Sequence, residues 1–200
     1  MLSPTRSRST NGLRGVPDII AETPRLILRT IGEADAAEQH RLLNTPAVMA
    51  HLGGPKELHE IEAKHAKAMA SQAQEGFSFL MMVERGTGEL VGHCGIKRVD
   101  NALAPNVGDH EIGWLVREDR WRRGLAAEAM RAVLRWAFTR IGAPHVVALT
   151  SQANVPSWKL MEKLGMTRRP DLDFEDPAYP PKDNPTIQYS LTRAQWESAP

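Results

Sequence analysis

The sequence predicts one domain of mixed α/β (α+β) class. Strand-type apolar runs alternate with stretches rich in Ala, Leu, Met and Glu, one long amphipathic helix stands between two strand patterns, and there is no internal repeat. At 200 residues and 42% hydrophobic content, the chain can bury one sizeable core and barely two.

The first fifteen residues, "MLSPTRSRSTNGLRG", hold three arginines and no acid, but lack the apolar segment a secretory signal requires. Such a segment is too polar to offset its ordering entropy, so residues 1–20 read as a disordered tail and residues 21–200 as the domain. "RLILRTI" (25–31) is strand-like, and "EADAAEQHRLLN" (33–44) and residues 57–74 are helix-like by composition. "FSFLMMVE" and "ELVGHCGIKRV" are strands joined through "RGTGE", whose two glycines suit a tight antiparallel hairpin. "HEIGWLV" (110–116) and "HVVALT" (145–150) are further strands, "PSWKLMEKLG" a short helix and "TIQYSLT" a last strand. "DFEDPAYPPKDNP" (173–185) is acidic and proline-rich, hence a loop.

The long helix carries the clearest periodicity. Ala129, Met130, Val133, Leu134, Ala137, Phe138 and Ile141 follow the three-then-four step of one buried face. Glu128, Arg131, Arg135 and Arg140 fall off it and read as a solvated face, with Glu128 paired to Arg131; Gly142 ends the helix. At the other end stand Arg122, Arg123 and Gly124, followed by Leu125, Ala126 and Ala127. A first helical turn presents unpaired N–H groups and partial positive charge, a small residue lets a ligand approach the backbone, and the arginines add fixed charge, so this mouth suits a phosphate. No Gly-Lys-Ser/Thr follows, which excludes a Walker loop, and two of the three glycines of a dinucleotide fingerprint are missing.

Composition excludes other classes. A net charge of +1 argues against a general binder of nucleic acid or membrane surfaces, including an RNA-binding use of Arg117, Arg120, Arg122 and Arg123. No apolar run has membrane-spanning length, and the lone Cys94 rules out an internal disulfide, so the expectation is a cytoplasmic protein with Cys94 in the core. His51, His59 and His65 lack metal-ligand spacing, so no metal is expected.

The segment "RWRRGLAAEAM" resembles the pyrophosphate-binding loop of the GCN5-related N-acetyltransferases (GNAT), particularly the ribosomal-protein N-acetyltransferase (RimJ/RimL-like) branch. The family pattern Gln/Arg-x-x-Gly-x-Gly/Ala falls on Trp121, Gly124 and Ala126, with Trp121 departing from it. "SQANVPSWKLMEKLGM" is similar to the family's Asn-x-x-Ser and the helix after it, and "ETPRLILR" and "YSLTRAQW" extend the likeness over residues 22–196.

The resemblance implies a GNAT fold: a mostly antiparallel sheet whose two parallel strands, "HEIGWLV" and "HVVALT", splay into a wedge for acetyl-CoA, the co-substrate. It assigns Leu115 and Val116 to the pantetheine arm, the amides of Arg122, Arg123, Gly124, Leu125, Ala126 and Ala127 to the pyrophosphate, and Asn154 to the pantetheine. Arg122, Arg123 or Lys159 would reach the adenosine phosphates. Transfer to an amine needs a base, because a lysine-like amine has a pKa of about 10.4, together with an oxyanion donor and help for the departing thiolate. Glu111 is the candidate base, an N–H near Val116 the oxyanion donor, and Ser157 the donor to the thiolate. Many relatives carry a tyrosine one turn after that serine; here the region reads Trp158, Lys159, Leu160, Met161. The expected partners are acetyl-CoA and an amine acceptor, either a protein N-terminus or a small molecule, in a chain that could form a homodimer. Asp173, Glu175 and Asp176 would attract a cationic amine at the acceptor entrance. The alternative is a non-catalytic acyl-CoA-binding or sensing domain.

Overall fold

The computed structural model describes residues 17–199. The tail assigned to residues 1–20 lies outside these up to residue 16; Ile19 and Ile20, counted with it, form the start of a strand, β1 (Ile19–Glu22). This pairs antiparallel with β2 (Leu26–Arg29). Two helices follow, α1 (Asp35–Leu43) and α2 (Leu58–Glu75). A reciprocal Glu57–Glu60 capping box starts α2, and Gly76 at φ 79° closes it. Then come β3 (Phe79–Glu84), β4 (Leu90–Arg98) and β5 (His110–Val116), successive antiparallel neighbours.

The long helix, α3, spans Leu125–Trp136 and passes into a wider π-type turn over Ala137–Ile141 before Gly142 at φ 81°. The apolar stripe survives the change of winding: Ala129, Met130, Val133, Leu134, Ala137 and Phe138 are all buried against the sheet. Each large side chain so buried contributes roughly 1.5–3 kcal/mol. β6 (His145–Ser151), α4 (Val155–Lys163), the short β7 (Thr167–Arg168), β8 (Thr186–Thr192) and α5 (Arg193–Ser198) complete the chain. The short β1 and β7 and the terminal α5 are additions to what the sequence patterns predict.

The eight strands form one sheet in the order β1-β2-β3-β4-β5-β6-β8-β7, antiparallel except between β5 and β6. That exception positions the site. β4 and β5 pair over the full length of β5, and β6 and β8 over the full length of β6, whereas β5 and β6 meet only at Glu111↔Val147 among the described residues. The two halves of the sheet therefore part along the C-terminal stretches of β5 and β6, and the break in pairing is a wedge.

Candidate active site

The loop entering α3 is shaped for an anion. Arg122 has φ 60° and Gly124 φ 75°, two left-handed residues flanking Arg123, and Arg122 is the one non-glycine with positive φ among the described residues. Glu128 N–H is the first to bond back, to Gly124 O at 3.0 Å; the N–H groups of residues 122–127 have no acceptor among the described residues. Such a row beside the positive end of a helix is an anion cradle. Arg122 and Arg123 are exposed beside it, while the side chains of Leu125 and Ala127 turn into the core and leave the backbone bare.

The wedge continues from that cradle. Arg117 N–H donates to Val91 O on β4, so strand alternation turns the backbone groups of Leu115 toward β4 and those of Val116 toward the wedge. Val116 O is already taken by the indole N–H of Trp121 at 2.8 Å. Across the opening, Asn154 is the N-cap of α4, and its amide side chain makes no capping bond. Ser157 N–H donates to Asn154 O at 3.1 Å, which makes Ser157 the third helical residue rather than the cap. Its hydroxyl has no hydrogen bond among the described residues. Lys159 is exposed, with Nζ 5.9 Å from the centre of the Trp158 ring.

Glu111 stands at the closed end of the wedge, on the register pair with Val147. Its side chain is 15% exposed and lies 3.1 Å from Lys97 Nζ. Burial raises the Glu111 carboxyl above its ordinary range, and Lys97 offsets that only in part. Burial lowers the Lys97 ammonium, but Glu111 and Asp100 outweigh it, so its pKa rises; Lys97 Nζ donates to Asp100 Oδ1 at 2.6 Å. A buried carboxyl with raised proton affinity is suited to take and release a proton near neutral pH.

The profile of the acetyltransferase (GNAT) domain family matches residues 25–167, which include β5, the anion cradle and α4. The chain belongs to the GNAT family. It is similar to the protein YkkB of Bacillus subtilis, at 30% identity over 72% of this chain and 83% of that one, and to the N-acetyltransferase YoaA of the same organism, at 30% over 74% and 83%. Among solved structures, an acetyltransferase of Agrobacterium tumefaciens is 30% identical with a TM-score of 0.70, over 86% of this chain and 94% of that one. RimL, a ribosomal L7/L12 α-N-protein acetyltransferase, shares the fold at 16% identity and a TM-score of 0.70, over 88% and 94%. The family's reaction is acetyl transfer with acetyl-CoA as co-substrate. The unpaired strand edge and row of free N–H groups fit a ligand with amides and a pyrophosphate.

Several contacts in this GNAT domain escape the sequence patterns. Glu128 is not paired with Arg131 on a solvated face: it accepts from Thr23 Oγ1 at 2.6 Å, Arg25 N at 2.9 Å and Arg25 Nε at 2.6 Å. Arg25 also donates to Arg123 O at 2.8 Å. The β1–β2 turn thus braces the anion cradle from behind. Arg117 and Arg120 are tied to Glu89 and Asp119, which removes them from any free basic patch.

The acidic loop also differs from expectation. Asp173 is bound by Arg168, and buried Asp176 accepts from Asn101 Nδ2 at 2.7 Å and Ala178 N at 2.9 Å, so of the three acids only Glu175 is left exposed to meet a cation. The same loop carries Tyr179 and Asp183 to the segment between α1 and α2. Tyr179 packs toward Gly53, and Asp183 Oδ1 lies 2.6 Å from Nδ1 of His51, a residue that sits in the segment between α1 and α2. Among the described residues, no helix is long and apolar enough to cross a membrane.

Proposed function

We propose that this chain transfers the acetyl group of acetyl-CoA to a primary amine by direct attack. The observation that carries the reading is the junction of three features: the free N–H row at residues 122–127, the parting of β5 and β6 beyond Glu111, and a buried carboxyl at the closed end of that opening. The first two suit the pyrophosphate and the amide-bearing arm; the third suits the reacting nitrogen.

In this reading Arg122, Arg123, Gly124, Leu125, Ala126 and Ala127 hold the pyrophosphate through backbone and charge. Asn154, with Leu115 and Val116, lines the arm, and Lys159 stands toward the adenosine phosphates. Glu111, through water, accepts a proton from the amine nitrogen, the N–H of Val116 faces the developing oxyanion, and the Ser157 hydroxyl donates to the leaving thiolate. The thiolate leaves readily because a thiol has a pKa of about 8.5, which lessens the demand for the tyrosine absent from α4. The acceptor is a protein N-terminus or a small-molecule amine, consistent with a likeness in fold to RimL.

Calorimetric titration of the protein with acetyl-CoA, followed by thiol-release assays against free amines and N-terminal peptides, tests this reading. Saturable binding with turnover is expected. Binding without turnover on any amine would favour a sensing domain, and no binding would overturn the assignment of the cradle.

A further inference from the structure

Asp183 and His51 form a pair that the roles above do not use. His51 Nδ1 and Asp183 Oδ1 are 2.6 Å apart, with side-chain exposures of 29% and 1%. Burial acts to raise the Asp183 carboxyl, yet the His51 imidazole and the nearby Ser151 hydroxyl hold it below its ordinary value, so it is an ionised group inside the fold. Its Oδ2 is buried without a donor among the described residues. A carboxylate in that position accepts from Nδ1–H, fixes the ring and its tautomer, and leaves Nε2 as the ring nitrogen with a lone pair. Nε2 makes no hydrogen bond among the described residues.

The pair lies by the C-terminal end of β6, since Asp183 is three residues before Thr186, the register partner of Ser151. His51 is two residues from Gly53, where an added Cβ would stand 4.0 Å from Tyr179 Cε1. Burial raises the Tyr179 phenol, and the charges of Asp176, Glu111 and Asp183 raise it further against Lys97. Ser151, beside Asp183, ends β6 three residues before Asn154.

Proton accounting gives such a pair a task. An acceptor amine arrives as an ammonium, and the products are an amide and a free thiol, so two protons leave nitrogen: one reaches the thiolate and one reaches bulk water. Glu111 is almost enclosed and paired with Lys97, which suits it to the internal transfer. The proton destined for water needs an acceptor that touches both the site and the solvent. Resting on the acetyl-transfer reading above, we propose that His51, oriented by Asp183, is a second catalytic residue: its Nε2 takes the first proton from the entering ammonium and releases it to solvent. The neutral nitrogen then attacks the thioester carbonyl; the C–N bond forms, the C–S bond breaks, and the second nitrogen proton reaches the thiolate by way of Glu111 and the Ser157 hydroxyl. Asp183 acts through His51 and is a positioning residue.

The test compares wild type with His51→Ala and Asp183→Asn on one amine that wild type acetylates, with acetyl-CoA affinity read by calorimetry before any amine is added. His51→Ala is expected to lower kcat/KM for the amine by about 100-fold, the lower range for a lost proton acceptor, while acetyl-CoA affinity stays within about twofold. Added imidazole should restore much of the lost rate to His51→Ala, and Asp183→Asn should lower kcat without changing acetyl-CoA affinity. A His51→Ala enzyme as fast as wild type, or a slow one that imidazole does not rescue, overturns the proposal, since a purely structural histidine would behave in the latter way. Failure of the acetyl-transfer reading shows instead in wild type, as absent binding or turnover, and this inference falls with it.

Discussion

The two sides of the wedge are built on opposite plans. The side we assign to the cofactor is a single run of chain, residues 122–127, whose free backbone N–H groups are aimed by two left-handed residues, Arg122 and Gly124. The side we assign to the acceptor draws on Glu111 and Lys97 from neighbouring strands, His51 from the segment after α1, and Tyr179 and Asp183 from the long loop before β8. Backbone chemistry needs few particular side chains, only a conformation. Side-chain chemistry needs several groups brought together from far apart, with burial to tune them. Substitutions on the two sides should therefore separate cleanly in kinetics.

The largest effect is expected on the acceptor side. Glu111→Gln should reduce kcat/KM for the amine by two orders of magnitude or more while acetyl-CoA affinity is retained, because general base catalysis contributes about 10²–10⁴-fold. Its stability should move the other way. Burial raises the folded-state pKa of Glu111 above the unfolded value, so the native state binds more protons and loses stability as pH rises from the unfolded value through the folded one. A glutamine cannot ionise, and thermal melts at neutral pH should show an unchanged or higher Tm. A variant that is inactive because it is unfolded would break the comparison.

Next comes Gly124→Val on the cofactor side. At φ 75° a β-branched residue carries strain of about 1–3 kcal/mol, and the new Cβ would lie 3.6 Å from Arg25 Nη2. Calorimetry should show acetyl-CoA affinity falling by roughly tenfold or more, with the domain still folded. Unchanged affinity would remove the anion cradle from the site.

The smallest effect tests the brace. Arg25→Ala removes the bond to Arg123 O and leaves Glu128 with Thr23 and one backbone N–H. A charge-assisted hydrogen bond contributes roughly 1.5–3 kcal/mol when well placed, and an exposed one less, so KM for acetyl-CoA should rise several-fold while KM for the amine does not move. An equal rise in both would mean that the brace supports the whole domain rather than the cradle alone.

What could be read in advance follows the same division. The stripe from Ala129 to Ile141, the glycine stop at Gly142, and the hairpin through residues 85–89 are local patterns, set by helix period, strand period and the few residues that tolerate positive φ. The cradle is local too, which is why Gly124 and its arginines stand out in the bare sequence. Glu128 shows the limit: by helical spacing its nearest opposite charge is Arg131, yet a turn 103 residues away along the chain supplies Arg25 at shorter range and with several bonds. Nothing in the spacing of His51 and Asp183, 132 residues apart, signals that they touch.

The longer strands and helices, the buried face of α3 and the helix mouth are legible in the sequence, because each depends on residues a few positions apart; the short β1, β7 and α5 are not. Packing alone fixes that β5 and β6 part beyond Glu111, that Lys97 meets Glu111 at 3.1 Å, and that Asp183 meets His51 at 2.6 Å. Those outcomes depend on strand order and on burial, which are properties of the packed chain and of no segment within it.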